Sequence, residues 1–183
     1  MDIQIKKAKL AKNGCVEATY VDYEGNEITL KGNHKCHADL KMAFAALVPF
    51  FADLTEQREA NQIDWDNLDG EENENLLHKI DVTGISIGGD TNNKFITLTG
   101  RRTLSTSKIL NLNSPGIDMG SETLEWDHVD EFDLAVMALL HEVEEYIINK
   151  KWAVAEPSLF DENPDDPFAP DPTNELPDAE SVA

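Results

Sequence analysis

The apolar residues of this chain change their spacing from strand-like alternation to helical recurrence, and they do so twice. Ile3, Ile5 and Leu10 open a strand pattern that Asn13-Gly14 turns back on itself. Val16, Ala18 and Tyr20 then alternate with Glu17 and Thr19, the period of a half-buried strand. Glu24-Gly25-Asn26 supplies a second turn and Ile28-Thr29-Leu30 a third strand. Beyond Lys31-Gly32-Asn33 the period lengthens, and Leu40, Phe44, Leu47, Phe51 and Leu54 fall on one helical stripe. Pro49 lies inside that stripe. It must kink the helix near residues 45–48 or begin a second one, because its ring conflicts with the carbonyl four residues back.

The second half repeats the plan. Ile80, Val82, Ile85 and Ile87 form a strand that changes face at Gly84, as at a bulge. Phe95 to Thr99 is rich in β-branched residues, Arg101-Arg102-Thr103-Leu104 continues it, and Ser105-Thr106-Ser107 turns it back into Lys108 to Leu112. Asn113-Ser114-Pro115-Gly116 then ends the sheet. A final helix spans about Asp130 to Lys151, with Val136, Leu140, Val143 and Ile147 as its buried stripe. Asp130, Glu131 and Asp133 in its first turn and Lys150-Lys151 in its last suit the helix dipole. Three strands and then a helix, twice, predicts an α+β fold. Two βββα units, residues 1–62 and 79–155, pack as one globular domain, an antiparallel sheet covered on one face by helices.

Charge divides the chain differently. Its 183 residues carry 36 Asp and Glu against 15 Lys and Arg, a net of −21. Residues 1–52 carry +1, 53–108 carry −5, 109–155 carry −8 and 156–183 carry −9, the last without a single base. Six of the eight prolines also fall in 156–183. A segment so charged and so short of donors cannot bury enough surface to offset its ordering entropy, which predicts a disordered acidic tail. Asp64 to Glu74 reads as a solvated acidic linker within residues 63–78. No apolar run approaches the roughly 20 residues of a membrane helix. Met1 to Lys12 lacks the apolar stretch of a signal peptide, so the expectation is a cytoplasmic protein with no membrane partner. Two cysteines, Cys15 and Cys36, make no disulfide framework.

Few side chains suggest chemistry. His34-Lys35-Cys36-His37 offers soft-metal ligands but no second pair to complete a site, so neither metal nor cofactor is expected. His141-Glu142 with Glu145 lacks the second histidine of a metalloprotease helix. No nucleophile elbow, phosphate loop or dinucleotide fingerprint occurs, and the expectation is a protein without enzymatic activity. The basic residues are more suggestive. Arg101, Arg102 and Lys108 flank a tight hairpin, and Lys6, Lys7, Lys9 and Lys12 lie on the first strand and its turn. If those strands share a face, they form a cationic stripe with Tyr20 and Tyr23 available to stack on bases, a candidate single-stranded DNA surface of weak affinity. The plainer alternative is that lysines guard exposed strands against aggregation.

In the tail, Ser158-Leu159-Phe160 and Asp165-Asp166-Pro167-Phe168 set aromatics among acids, as a docking peptide does. The first resembles the C-terminal part of sliding-clamp-binding peptides, although Glu156 stands where such peptides prefer Gln. The second resembles the acidic tip of bacterial single-stranded DNA-binding proteins, although fifteen residues follow it here. Over residues 80–150, the runs Val82-Thr83-Gly84-Ile85-Ser86-Ile87, Leu98-Thr99-Gly100-Arg101-Arg102 and Leu112-Asn113-Ser114-Pro115 resemble small uncharacterised proteins of tailed bacteriophages and prophages. The last resemblance implies a phage setting and no mechanism; together with the cationic stripe and the tail peptides, the expectation is a non-enzymatic accessory of phage or prophage DNA replication or recombination. In it Ser158, Leu159, Phe160, Asp165, Asp166 and Phe168 recruit a replication or recombination protein, in a bacterial cytoplasm and with a homo-oligomer allowed. A second expectation comes from the ten acids of residues 109–149, which no base interrupts. Lined along one surface, they would imitate duplex phosphates and inhibit a host enzyme or defence factor.

Overall fold

The computed structural model describes residues 3–89, 94–118 and 126–153, all within the compact unit Met1–Ala153. Ser158, Leu159, Phe160, Asp165, Asp166 and Phe168 lie outside the described residues. The first meander is β1 (Gln4–Leu10), β2 (Cys15–Val21) and β3 (Glu27–Lys35), and the second is β4 (Ile80–Gly89), β5 (Lys94–Thr103) and β6 (Ile109–Asn113). Their first strands meet: Lys7, Ala8 and Lys9 of β1 pair antiparallel with Ser86, Ile85 and Gly84 of β4. One antiparallel sheet results, in the order β3-β2-β1-β4-β5-β6. A further short strand, β7 (Ile117–Asp118), pairs with β5 alongside Phe95 and Ile96. The turn at Asn113–Gly116 therefore does not end the sheet. Ser114 bridges the gap instead, its N–H donating to the Leu98 carbonyl and its hydroxyl accepting from the Leu98 N–H, both at 2.9 Å.

Helices cover one face. The stripe through Leu40, Phe44, Leu47 and Phe51 is divided into α1 (Ala38–Ala45) and α2 (Val48–Leu54), with Pro49 in the first turn of α2, where its missing N–H costs nothing. Both pack on β4, while α4 (Val129–Ile148) lies along α1 and on β1. Between the layers Leu40, Phe44, Leu47, Phe50, Phe51, Phe132, Leu139 and Val143 are fully enclosed. Each such large side chain contributes on the order of 1.5–3 kcal/mol. Gly100 is what lets Phe51 approach β5, since a Cβ there would sit 2.6 Å from the Phe51 ring. The bulge expected at Gly84 is present, with the β4–β5 register slipping between Val82 and Gly84.

Two further elements differ from expectation. The acidic stretch Asp64–Glu74 is folded, ending in α3 (Glu71–Leu77). Buried Asn73 explains it: the side-chain amide donates to the carbonyls of Asp64 and Asn67 and accepts the Asp64 N–H, replacing an apolar anchor with a polar one. Helix α4 is also turned about its axis. Val136 and Val143 are buried as expected, but Phe132, Leu139 and Tyr146 complete the stripe, and Leu140 and Ile147 are only half-buried. The helix ends at Ile148, and Lys150 reverses the chain in a left-handed conformation, leaving Lys150 and Lys151 beyond the last turn.

Candidate anion-binding groove

Alternation along the strands fixes what each face presents. Ala8, Val16, Ala18, Ile85, Leu98 and Leu112 point towards the helices, so their neighbours Lys7, Lys9, Glu17, Thr19, Ser86, Thr97, Thr99 and Asn111 cover the open face. Register places Lys9, Gly84, Thr99 and Asn113 in one row across four strands. A shallow groove of about 950 Å³ lies here, between the β1–β2 turn and the β5–β6 hairpin. It is lined by Lys9, Lys12, Lys35, Lys41 and Arg101, together with Thr83, Ile109, Asn111, Asn13 and Gly14. Among the described residues, five cations and no carboxylate line the groove of a chain whose net charge is −21.

Local structure positions each of them. Gly14, at φ +80°, closes the β1–β2 turn that projects Lys12. The Cys36 N–H donates to the Gly14 carbonyl at 2.8 Å, tying that turn to the end of β3 and placing Lys35 opposite Cys15. Next to Lys35, His37 caps α1, its Nδ1 accepting the Asp39 N–H at 3.3 Å, and Lys41 follows one turn later. Arg101 donates from Nε to Asp81 at 2.9 Å, which holds the guanidinium over the open face and leaves its two terminal nitrogens for a ligand. Glu17 pairs in register with both Lys9 and Lys31 without entering the groove.

The structure thus brings Lys9, Lys12 and Arg101 together and separates the other basic residues from them. Lys7 is exposed on the open face, Lys6 is half-buried at the β1 bulge, and Lys108 is exposed in the hairpin turn; none of the three lines the groove. Arg102 is a correction. Adjacent strand residues point to opposite faces, so Arg102 lies buried beneath the sheet. There it makes a two-pronged pair with Glu59 at 2.6 and 2.7 Å and donates to Gln57 at 2.8 Å. The Arg102 guanidinium holds the Glu59 carboxyl down at a pKa of about 2. Tyr20 is a second correction: it pairs with Ile5 and packs against the core on the helix side, away from any ligand in the groove. Tyr23 is exposed in the β2–β3 turn and is not a lining residue.

Lys35 and Lys41 are members that the sequence alone did not single out. Lys35 sat inside the His34–His37 cluster, whose histidines have other tasks. His34 stacks on Trp152 with ring centroids 3.8 Å apart, and His37 caps a helix. Among the described residues, no three His, Cys, Asp or Glu side chains converge as a metal site. The acids of α4 do not form a single ladder either. Asp130 lies on the line of Leu134 and Met137, while Glu131, Glu142 and Glu145 fall to one side of it and Asp133 and Glu144 to the other. No protein-family model matches this chain, and no curated protein or solved structure is similar to it.

Proposed function

We propose that this protein is a non-enzymatic nucleic-acid accessory that holds a single strand weakly, by its phosphates, along the groove of Lys9, Lys12, Lys35, Lys41 and Arg101. The observation that carries the reading is the local reversal of charge: five lining cations without an acid among the described residues, in a chain of net −21. Counterions released from phosphates supply the affinity, and the acidity elsewhere keeps it modest. Among the described residues no aromatic side chain lines the groove, so binding is to the backbone and carries little base preference. In the same reading the C-terminal segment with Ser158, Leu159, Phe160, Asp165, Asp166 and Phe168 recruits a replication or recombination protein, in a phage or prophage setting.

The test is fluorescence anisotropy with a labelled homopolymeric oligonucleotide at low and at moderate salt. Changing Lys9, Lys12, Lys35 and Lys41 together to Gln removes charge without removing the side-chain stems. Binding should then weaken at least tenfold at low salt. The salt slope should flatten by up to about 3, at about 0.7 for each phosphate no longer neutralised. Failure of the unaltered protein to bind at low salt, or equal binding by the variant, rejects the proposal.

A further inference from the structure

Helix α4 (Val129–Ile148) buries Phe132, Val136, Leu139, Val143 and Tyr146 against the sheet and α1. At 100° per residue, the line opposite that stripe runs through Asp130, Leu134, Met137, His141 and Ile148, with a/d-like spacings of four, three, four and seven. Leu134 is 68% exposed and Met137 60% exposed, among the most exposed large apolar side chains described. A lone exposed leucine needs no explanation, but two apolar side chains on successive turns of one seam do.

The flanks of that seam identify what it fits. Glu131 and Glu145 border it on one side, Asp133 and Glu144 on the other, and the helix contains no Lys or Arg at all. Glu142 lies further round and is held by Lys151 at 2.9 and 3.0 Å. An exposed apolar pair between two acidic flanks, with Asp130 at its N-terminal end, is one half of a helix pair whose other half carries Lys or Arg beside its own apolar line. A second copy of this chain is a poor occupant, since pairing the seam with itself would set acid against acid. The last 28 residues are no better, with nine acids and no base.

We propose that the outward seam of α4 docks a basic amphipathic helix of another protein. Leu134 and Met137 pack into that helix's apolar line, while Glu131, Asp133, Glu144 and Glu145 face its lysines or arginines. This surface is separate from the cationic groove and stands whether or not the groove binds nucleic acid.

The test uses the full chain and a fluorescein-labelled synthetic peptide of about three heptads, with Leu at the seam and Lys on both flanks. A scrambled peptide of equal composition is the control. Saturable binding is expected, at least tenfold tighter than the scrambled control. It should weaken at least fivefold on Leu134→Ala with Met137→Ala, and again on Asp133→Asn with Glu144→Gln. All four positions are partly or fully exposed, so circular dichroism should show the variants folded. Three results would each overturn the proposal: equal affinity for the scrambled peptide, indifference to Leu134→Ala with Met137→Ala, or sedimentation showing self-association that those two substitutions abolish. Oligonucleotide binding should not change in the charge-neutral variant Leu134→Ala with Met137→Ala, which separates this surface from the groove.

Discussion

Arg102 and Glu59 carry opposite charges into the protein's interior, where neither would be stable alone. The pair joins β5 to the segment after α2, with the Arg102 guanidinium also satisfied by Gln57. Glu59 has an ordinary pKa of 4.5 and is held at about 2 in the fold. A depressed carboxylate contributes stability that is complete above its unfolded value and is lost as pH falls through the folded one. The contribution of this pair should therefore be constant above pH 4.5 and disappear between 4.5 and 2. It amounts to at most about 3 kcal/mol. Glu59→Gln leaves a buried guanidinium without its counter-charge and should cost about 3 kcal/mol at pH 7. Urea unfolding at both ends of that range checks it. The deficit of the variant should shrink as the native carboxylate is protonated, and a deficit that stays constant down to pH 2 would contradict the ion-pair account.

At the scale of elements, the most informative junction is where α4 meets β3. The β2–β3 register slips between Cys15 and Glu17, leaving β3 with extra residues around Gly32. Tyr146 fills that site, its hydroxyl donating to the His34 carbonyl at 2.6 Å. A Cβ on Gly32 would collide with the Tyr146 hydroxyl and lie 2.9 Å from the Val16 carbonyl. Gly32→Ala should therefore destabilise by about 1–3 kcal/mol. In a Tyr146→Phe background, part of the obstruction is gone, so the same substitution should cost less. A double-mutant cycle by thermal or urea unfolding measures the coupling, and strict additivity would show that the two groups do not compete for one space.

The same junction shows where the sequence was legible. Alternating residues named six strands, and Pro49 marked the break between α1 and α2, because those signals are local. Neither β7 nor α3 had such a signal, since one has two residues and the other is anchored by the amide of Asn73. The rotation of α4 was hidden because Leu139 and Leu140, or Tyr146 and Ile147, serve equally well until the sheet selects one line. At the groove, Lys9, Lys12 and Arg101 could be grouped from strand position, whereas Lys35 and Lys41 join only through the bond between Cys36 and Gly14. The burial of Arg102 was legible from alternation alone: on a strand, Arg101 and Arg102 cannot share a face.

Across the whole molecule, charge is segregated more sharply than composition suggests. The described unit presents five cations in a groove that runs from the open side of its sheet to Lys41 of α1, and six acids on α4 in the helix layer. The 36 acids of the chain set a background field that opposes any anion approaching the groove. Residues 156–183 contribute nine carboxylates and no base, so removing them takes the net charge from −21 to −12. A chain ending at residue 155 should therefore bind a labelled oligonucleotide more tightly than the full chain at about 10 mM salt, where the screening length is about 30 Å. Near 150 mM it falls to about 8 Å, and only charges close to the groove still act, so the two affinities should converge. The same truncation should raise the melting temperature most at low salt, by relieving self-repulsion. Anisotropy titrations and thermal melts over that salt range measure both effects. Indistinguishable affinities at about 10 mM would mean that the groove does not sense the chain's overall charge, and the phosphate-led reading of the groove would lose its physical basis.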